Sequence, residues 1–203
     1  MNVVQYLAEE INNCRNCSLG FKRTNTVPGE GAYSAAVVFI GEAPGRNEDL
    51  QGRPFVGAAG RLFDDLLLQV GLNRGDVFIT NLLKCRPPNN RDPLPTEIKA
   101  CTPYLERQLQ KIQPDIIVTL GRFSLSYFFP TLQIGKVRGK LLKWNKQYIY
   151  PVYHPAAALR NPKFHDLLKN DFQQMVRFLE QKSVEDDKIT DNPDSIQLSF
   201  FDD

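Results

Sequence analysis

The chain has 203 residues, which is enough for one domain with a sizeable core. Its hydrophobic fraction of 42% and charged fraction of 24% are ordinary for a globular protein, and no apolar run approaches the ~18 residues of a membrane span. The formal net charge of +2 is too small to indicate nucleic-acid binding by itself, so only local clusters of charge can support that function.

The first 80 residues predict a helix, a loop and two buried strands separated by a second helix. Helical spacing of apolar residues covers 3–11, and the segment 18–35 is rich in Gly, Thr and Asn, which is typical of a loop. Residues 36–40 form a continuous apolar run, as expected for a strand that is buried on both faces. Helical spacing returns over 58–70, and 77–80 is a second short strand.

The rest of the chain continues this alternation. Four prolines make 86–95 irregular, and a helix follows over 96–112 with Thr96 as its predicted N-cap. Residues 115–120 form a third buried strand, and 141–153 contains two β segments around a turn at Asn145 and Lys146. An amphipathic pattern predicts a final helix over 164–181.

Alternating strands and helices predict an α/β fold, in which a single three-layer αβα domain has a central, mostly parallel sheet. We place this domain at residues 1–182 and expect it to be a monomer. Residues 183–203 form a flexible acidic tail, of which 183–195 is predicted to be disordered. Ligands of such folds bind beyond the carboxyl ends of the strands, where the loops 41–57, 81–95 and 154–162 lie.

Four cysteines are present, and they suggest one shared site: Cys14, Cys17, Cys85 and Cys101. A C-x-x-C pair with two distant thiols is the pattern of a four-cysteine metal or iron–sulfur site. Two disulfides or unrelated buried thiols are the alternatives. Because the N-terminus lacks the features of a signal peptide, we expect a reducing, cytoplasmic location with no membrane partner, which favours the metal or cluster.

Three side chains in the strand-end loops suggest a pocket for a flipped nucleobase. Phe55 is an apolar ring in a polar loop, Asn81 directly follows a strand, and His154 is one of two histidines. A ring for stacking, an amide for a base edge and a hydrogen-bond donor are what such a pocket needs. Taken singly, each has an ordinary structural explanation: a core residue, a turn former and a structural histidine.

These residues belong to motifs by which the chain resembles the family-4 uracil-DNA glycosylases, over roughly residues 1–180. The motifs occur in the same order as in that family, together with the four cysteines. They are Gly41-Glu42-Ala43-Pro44-Gly45-Arg46-Asn47-Glu48-Asp49, Gly52-Arg53-Pro54-Phe55-Val56-Gly57, Asn81-Leu82-Leu83-Lys84-Cys85-Arg86-Pro87-Pro88 and His154-Pro155-Ala156-Ala157-Ala158-Leu159-Arg160.

The resemblance implies the uracil-DNA glycosylase fold and activity, which is hydrolysis of the N-glycosidic bond of uracil in DNA. It implies a structural 4Fe–4S cluster on the four cysteines. Uracil would stack on Phe55, pair through N3–H and O4 with Asn81, and accept a hydrogen bond at O2 from His154. Glu48 would lie near C5 of the base and help to exclude the methyl group of thymine.

The resemblance also implies that the first motif lines the pocket and guides the attacking water. The pocket residues of this motif would be Gly41, Glu42, Ala43 and Gly45. The family-1 enzymes carry an aspartate that orients the water at the position of Ala43. Its replacement here leaves Asn90 and Glu48 as candidates for that role, and it predicts reliance on stabilisation of the leaving group.

Basic side chains near the same loops are candidates for contacts with DNA phosphates. These residues are Arg86, Arg91, Arg138, Lys140, Arg160 and Lys163. Leu159 or Arg160 would fill the space that the flipped base leaves in the duplex. Solvated surface charge is the ordinary alternative for each of the basic residues.

The tail ends in apolar residues that suggest a protein partner. Gln197, Leu198, Phe200 and Phe201 resemble the short peptides by which bacterial replication and repair proteins bind the sliding clamp. The alternative is that the tail folds back onto its own domain, or that it is apolar by chance.

Two other functions compete with uracil excision. One is a non-catalytic iron–sulfur DNA-binding module of the same fold, for instance a polymerase-associated relative. The other is a zinc-stabilised nucleotide-binding domain. Retention of Phe55, Asn81 and His154 together argues against the first, because a module that does not excise bases does not require all three.

Overall fold

The computed structural model describes residues 3–190, including the side chains of residues 6–181. Within that range the chain forms eight α-helices and six strands, which alternate along most of the sequence. The helices are α1 (Val3–Asn13), α2 (Arg46–Gln51), α3 (Ala58–Gln69), α4 (Pro95–Ile112), α5 (Arg122–Phe128), α6 (Ile134–Val137), α7 (Pro155–Arg160) and α8 (Lys163–Thr190). The strands are β1 (Glu30–Gly31), β2 (Val37–Gly41), β3 (Phe78–Asn81), β4 (Ile116–Leu120), β5 (Leu142–Trp144) and β6 (Gln147–Val152).

The strands form one sheet in the order β1-β3-β2-β4-β6-β5. The four inner strands, β3, β2, β4 and β6, are parallel, and the edge strands β1 and β5 pair in the antiparallel direction. The predicted mostly parallel sheet is therefore confirmed. Because the inner strands share one direction, their carboxyl ends meet at one edge of the sheet, where Gly41 of β2 is paired with Asn81 of β3.

Helices cover both faces of this sheet, which confirms the three-layer architecture. On one face, Phe39 and Val118 pack with Phe63 of α3 and Phe172 of α8. On the other face, the alternate strand residues pack with α4 and α5, for example Ile40 with Leu105 and Phe128. Strands that are buried on both faces explain the continuous apolar runs of the sequence.

The structure differs from the sequence-based prediction in four places. The segment 18–35, predicted to be a loop, contains a 3-10 helix at Ser18–Phe21 and strand β1. The cap of α4 is not Thr96: the helix begins at Pro95, and the carboxylate of Glu97 accepts a hydrogen bond from the backbone N–H of Leu94 at 2.9 Å. The short helices α2, α5, α6 and α7 were not predicted. Helix α8 continues to Thr190, so the backbone of 183–190 is helical, whereas we predicted that it would be disordered.

None of the helices in residues 3–190 combines the length and the apolar character that crossing a bilayer requires. The tail residues Gln197, Leu198, Phe200 and Phe201 lie outside the described part of the chain.

Candidate active site

A cavity of about 470 Å³ opens at the carboxyl ends of the four inner strands. This is the location expected for the ligand site of an open parallel sheet. Its walls come from the loops that follow β2, β3, β4 and β6. The cavity brings together most of the predicted site residues, namely Glu42, Ala43, Gly45, Glu48, Phe55, Asn81, Asn90, Arg91, His154 and Arg160. The predicted residues Gly41, Arg86 and Leu159 do not line it.

Gly41 lies directly behind the pocket wall and allows two pocket side chains to approach the backbone. A Cβ atom at this position would lie 2.2 Å from Oδ1 of Asn81 and 2.8 Å from Cζ of Phe55. Real Cβ contacts are not that short, so any side chain at position 41 would displace one of these groups. Gly41 therefore shapes the pocket without contributing a side chain to it.

The loop between α2 and α3, residues 52–57, is called the Phe55 loop, and it contains a left-handed backbone conformation at Phe55. Phe55 has a φ of 52°, and a Cβ on Gly60 would lie 1.9 Å from the carbonyl oxygen of Phe55. The ring packs against Phe63 of the core, with ring centroids 5.3 Å apart, and also lines the cavity. Phe55 is thus both a core residue and a pocket wall, so the two interpretations of its sequence position are compatible.

Arg74 holds this loop through its backbone carbonyl oxygens, and the sequence analysis did not predict this role. Its guanidinium donates hydrogen bonds to the carbonyl oxygens of Pro54 at 2.6 Å and Phe55 at 3.2 Å. The same group forms ion pairs with Glu30 and Asp64. The sequence around Arg74 contains only turn signals, and its partners lie 10 to 44 residues away, so no local pattern reveals its role.

Glu48 also holds the Phe55 loop, through hydrogen bonds from backbone N–H groups. One of its carboxylate oxygens, Oε1, accepts hydrogen bonds from the backbone N–H groups of Val56 and Gly57, both at 2.9 Å. Gly57 is the N-cap of α3, so the carboxylate also lies at the positive end of a helix dipole. Glu48 is therefore an anchor of the loop as well as part of the cavity wall.

His154 is fixed in one tautomer by the start of α7. Its Nδ1 accepts a hydrogen bond from the backbone N–H of Ala156 at 3.1 Å, which leaves the ring proton on Nε2. Burial and the positive charge of Arg160 lower the pKa of His154 to about 4, against the opposing charge of Glu48. At neutral pH the side chain is therefore a neutral imidazole with one N–H donor.

Glu42 is a second titratable group in the cavity wall. Burial, and to a lesser extent the negative charge of Asp92, raises the pKa of Glu42 to about 7 against the opposing charge of Arg122. Arg122 is itself paired with Asp92 at 2.7 Å. A carboxyl group with a pKa near the working pH is suited to accept a proton from water. Its presence in the first motif was predicted, but its perturbed pKa was not.

The loop after β3 brings a polar group and basic groups to the rim. Asn90 lines the cavity, and its Oδ1 accepts a hydrogen bond from Nε of Arg86 at 2.7 Å. Arg91 forms a two-point pair with Glu97, at 2.9 and 2.6 Å. These partners hold both arginines near the entrance of the cavity.

The α7 end of the rim carries Leu159, which is 52% exposed, and the exposed Arg160. Arg138, in contrast, is directed to the interior. It is paired with the buried Asp171, and only 19% of its side chain is exposed. We therefore do not place Arg138 among the DNA contacts.

The four cysteines line one small cavity between α1, the loop after β3 and α4. All four thiols are free, which does not support the alternative of two disulfides. Burial raises the pKa of Cys85, and it raises the pKa of Cys101 to about 11. Within the described side chains, no three His, Cys, Asp or Glu residues are arranged to hold a metal ion.

Hydrogen-bond donors surround these sulfur atoms. The backbone N–H of Lys84 points at Sγ of Cys101 at 3.2 Å, and that of Asn16 lies 3.5 Å from Sγ of Cys14. The guanidinium of Arg23 donates to Sγ of Cys85 at 3.1 Å. Such donors stabilise thiolates, which are the ligands of iron–sulfur clusters. Four thiols that line one cavity are the ligand set that such a cluster would take.

Comparison with known proteins yields a consistent set of relatives. A sequence profile of the uracil DNA glycosylase superfamily matches residues 28–180. The type-4 uracil-DNA glycosylase of Saccharolobus solfataricus is 51% identical over 194 residues, which cover 91% of this chain and 90% of the relative. That of Archaeoglobus fulgidus is 47% identical over 184 residues, covering 86% and 92%. A DNA polymerase of Bacillus phage SP01 is 33% identical over 156 residues, which cover 76% of this chain but 17% of the polymerase.

Proposed function

Because this chain belongs to the type-4 uracil-DNA glycosylases of the uracil DNA glycosylase superfamily, we propose that it hydrolyses the N-glycosidic bond of uracil in DNA. The product is an abasic site, which base excision repair then processes. One observation carries this function beyond the likeness in sequence. An aromatic ring and a neutral imidazole from two different loops, and an amide from the end of β3, line one cavity.

The cavity supports recognition of a base that has been flipped out of the stack. Phe55 offers its ring for stacking, which is worth ~1–3 kcal/mol per base. Asn81 offers an amide, which can donate to O4 of uracil and accept from N3–H. Gly41 permits both groups to lie close to β2. Glu48, fixed by the Phe55 loop, would lie near C5 and disfavour the methyl group of thymine.

His154 would stabilise the leaving group. As the glycosidic bond breaks, negative charge develops on uracil, including at O2. The Nε2–H of a neutral imidazole can donate a hydrogen bond to that oxygen without first having to lose or gain a proton. The hydrogen bond from Ala156 supports this tautomer. Because the charge is on the leaving base, the donor acts mainly in the transition state.

Three side chains are candidates for positioning the attacking water: Asn90, Glu48 and Glu42. Asn90 lines the cavity, although its Oδ1 already accepts from Arg86. Glu48 uses Oε1 to hold the Phe55 loop, which leaves Oε2 for another contact. Glu42, whose pKa is about 7, is the group best matched to a base that works near neutral pH.

DNA would contact the rim of the cavity. Arg86, Arg91 and Arg160 carry the positive charge that phosphates require, and Leu159 is exposed beside Arg160. We propose that Leu159 enters the duplex where the flipped base leaves a gap.

We propose a 4Fe–4S cluster as the resident cofactor, held by Cys14, Cys17, Cys85 and Cys101. When bound, it would contribute structure, joining the N-terminal segment to α4, and no step at the base. The common cavity and the donors to sulfur support this assignment. Four free thiols also suit a reducing compartment such as the cytoplasm.

A non-catalytic DNA-binding module is the alternative function. The similarity to a phage protein named DNA polymerase favours it, because a domain like this one occurs within that larger protein. The pocket favours catalysis, since DNA binding alone does not need an imidazole held in one tautomer. Whether the protein releases uracil from DNA distinguishes the two functions.

We also propose that residues 1–182 act as a monomeric glycosylase domain, and that the tail tethers it to a sliding clamp. Gln197, Leu198, Phe200 and Phe201 would be the anchors. Calorimetric titration of the tail peptide with the cognate clamp tests the tether. Absence of binding, or binding that survives Phe200→Ala with Phe201→Ala, would exclude it.

The experiment that tests the catalytic function uses a labelled oligonucleotide with one uracil. The iron-loaded protein should create a site that alkali cleaves, and free uracil should appear in equal amount. An oligonucleotide with thymine at the same position should remain intact. DNA binding without release of uracil would instead support the non-catalytic module.

A further inference from the structure

Lys84 is a buried lysine. Its ammonium group donates hydrogen bonds to neutral oxygen atoms and to no carboxylate. Its side chain is 1% exposed, and it is among the largest fully buried side chains of the described part of the chain. Burying an ammonium group is costly unless every N–H finds an acceptor. A methionine of similar size would avoid that cost, so the charge needs an explanation.

Each hydrogen of the ammonium group has an acceptor. Nζ lies 2.5 Å from Oγ1 of Thr80, 2.8 Å from the carbonyl oxygen of Asn81 and 2.8 Å from Oε1 of Gln108. Thr80 and Asn81 are the last two residues of β3, and Gln108 lies on α4. The ammonium group therefore ties the end of this strand to a helix.

The backbone of Lys84 extends the same network in two further directions. Its N–H donates to Sγ of Cys101 at 3.2 Å, and its carbonyl oxygen accepts from the N–H of Val27 at 2.8 Å. Pro28 completes the network, because its carbonyl oxygen accepts from Thr80 at 3.0 Å and from Gln108 at 2.8 Å. Lys84 thus contacts both Cys101 of the four-cysteine centre and Asn81, the residue proposed to read the base.

We propose that Lys84 is a positioning residue for Asn81. It fixes the position of Asn81 relative to the four-cysteine centre, which is the cavity lined by Cys14, Cys17, Cys85 and Cys101. The ammonium group holds the carbonyl of Asn81 and so limits rotation of the peptide that carries the amide. The backbone N–H of Lys84 at the same time contacts Cys101, a ligand of the proposed cluster. This inference rests on the proposed function, in which the amide of Asn81 reads the base.

The consequence for the reaction follows from the distances that hydrogen bonds tolerate. An amide that pairs with two atoms of uracil must be held to a fraction of an ångström. A misplacement of ~1 Å in a catalytic arrangement costs on the order of 10²-fold in rate.

The main test is Lys84→Met, which removes the three donors and keeps the length of the side chain. We expect a loss of ~10–10²-fold in the single-turnover rate constant at saturating uracil DNA. DNA affinity and the ratio of iron to protein should stay at the values of the unmodified protein. In an Asn81→Ala background, Lys84→Met should have no further effect, because its target is already absent.

Two buried threonines provide a second test that can be used if Lys84→Met does not fold. Thr80 and Thr119 are both fully buried, and both are paired with Ile40 from opposite sides of β2. Oγ1 of Thr80 accepts from Lys84, whereas Oγ1 of Thr119 has no hydrogen-bond partner among the described residues. Thr80→Val removes the hydrogen bond from Lys84 and the one to Pro28. It should lower the rate constant at least about fivefold, the factor expected for the loss of one hydrogen bond. Thr119→Val should leave it unchanged.

Three results would overturn the inference. The first is that Lys84→Met lowers the single-turnover rate constant by the same factor in the Asn81 and Asn81→Ala backgrounds. The second is that Lys84→Met loses iron in proportion to its loss of rate. The third is that Thr80→Val and Thr119→Val have equal rate constants. Failure of the unmodified, iron-loaded protein to release uracil would overturn the proposed function instead. The two failures are therefore distinguishable.

Discussion

The imidazole of His154 stacks on the ring of Phe55, with the ring centroids 5.5 Å apart and the planes inclined by 26°. The two residues lie 99 positions apart in the sequence and reach the cavity from loops that follow different strands. In the proposed reaction Phe55 would therefore have two tasks: to offer a surface for the base, and to support the side chain that would donate to the leaving oxygen.

His154→Ala should lower the single-turnover rate constant by ~10²–10³-fold, the usual effect of removing one donor to a developing negative charge. DNA affinity should change little, because the donor acts on charge that exists only in the transition state. Rapid-quench kinetics with enzyme in excess, together with a binding titration, separate the two effects. A loss confined to affinity would make His154 a DNA-docking residue.

Arg74→Met should lower the rate constant by about tenfold, since it releases the carbonyl oxygens of Pro54 and Phe55 and lets the stacking surface move. Arg74→Lys should recover part of the loss by keeping the charge. Arg107→Met removes an exposed ion pair with Glu10 and serves as the control. Equal effects of Arg74→Met and Arg107→Met on the rate constant would show that Arg74 does not position the pocket.

Glu42→Gln should stabilise the protein at pH 8 and have little effect at pH 5. The folded-state pKa of Glu42 is raised to about 7, so between its ordinary value of 4.5 and 7 the folded state binds more protons than the unfolded state. Folding stability due to this group therefore falls as pH rises through that window. Melting temperatures of both proteins at pH 5 and pH 8 check the sign. A difference that is larger at pH 5 would contradict it.

Asn81→Asp should reduce excision of uracil and raise that of cytosine relative to it. Cytosine carries an amino group at C4 where uracil carries a carbonyl, so an acceptor at residue 81 suits cytosine better than the amide donor does. The measurement is the ratio of single-turnover rate constants on two oligonucleotides that differ only in this base. An unchanged ratio would remove Asn81 from base recognition.

Cys85→Ala should lose iron and solubility together. Cys85 is buried among residues of α1, the loop after β3 and α4, so loss of a cluster ligand there should loosen all three segments. Iron analysis, visible absorbance and the soluble fraction after expression are the measurements. A well-folded and fully active Cys85→Ala protein without iron would exclude the structural role of the cluster.

The class of the fold, and a set of site residues most of which line the cavity, could be predicted from the amino-acid sequence. Apolar runs such as 36–40 predict buried strands because each side of a covered strand must be apolar. Parallel strands bring their carboxyl ends to one edge, so Phe55, Asn81 and His154 were expected to meet. The short helices were missed because six residues or so are too few to display a helical period, as in α2 and α7.

The contacts that hold these residues in place could not be predicted from the sequence. Lys84 reaches Gln108 across 24 positions, and Arg74 reaches Glu30 across 44, so neither contact leaves a local pattern. The pKa values of Glu42 and His154 are likewise set by burial and by the charges of residues that the fold brings near them. Residue types and their order follow from the chain, whereas distances, burial and local electric fields exist only after distant segments pack together.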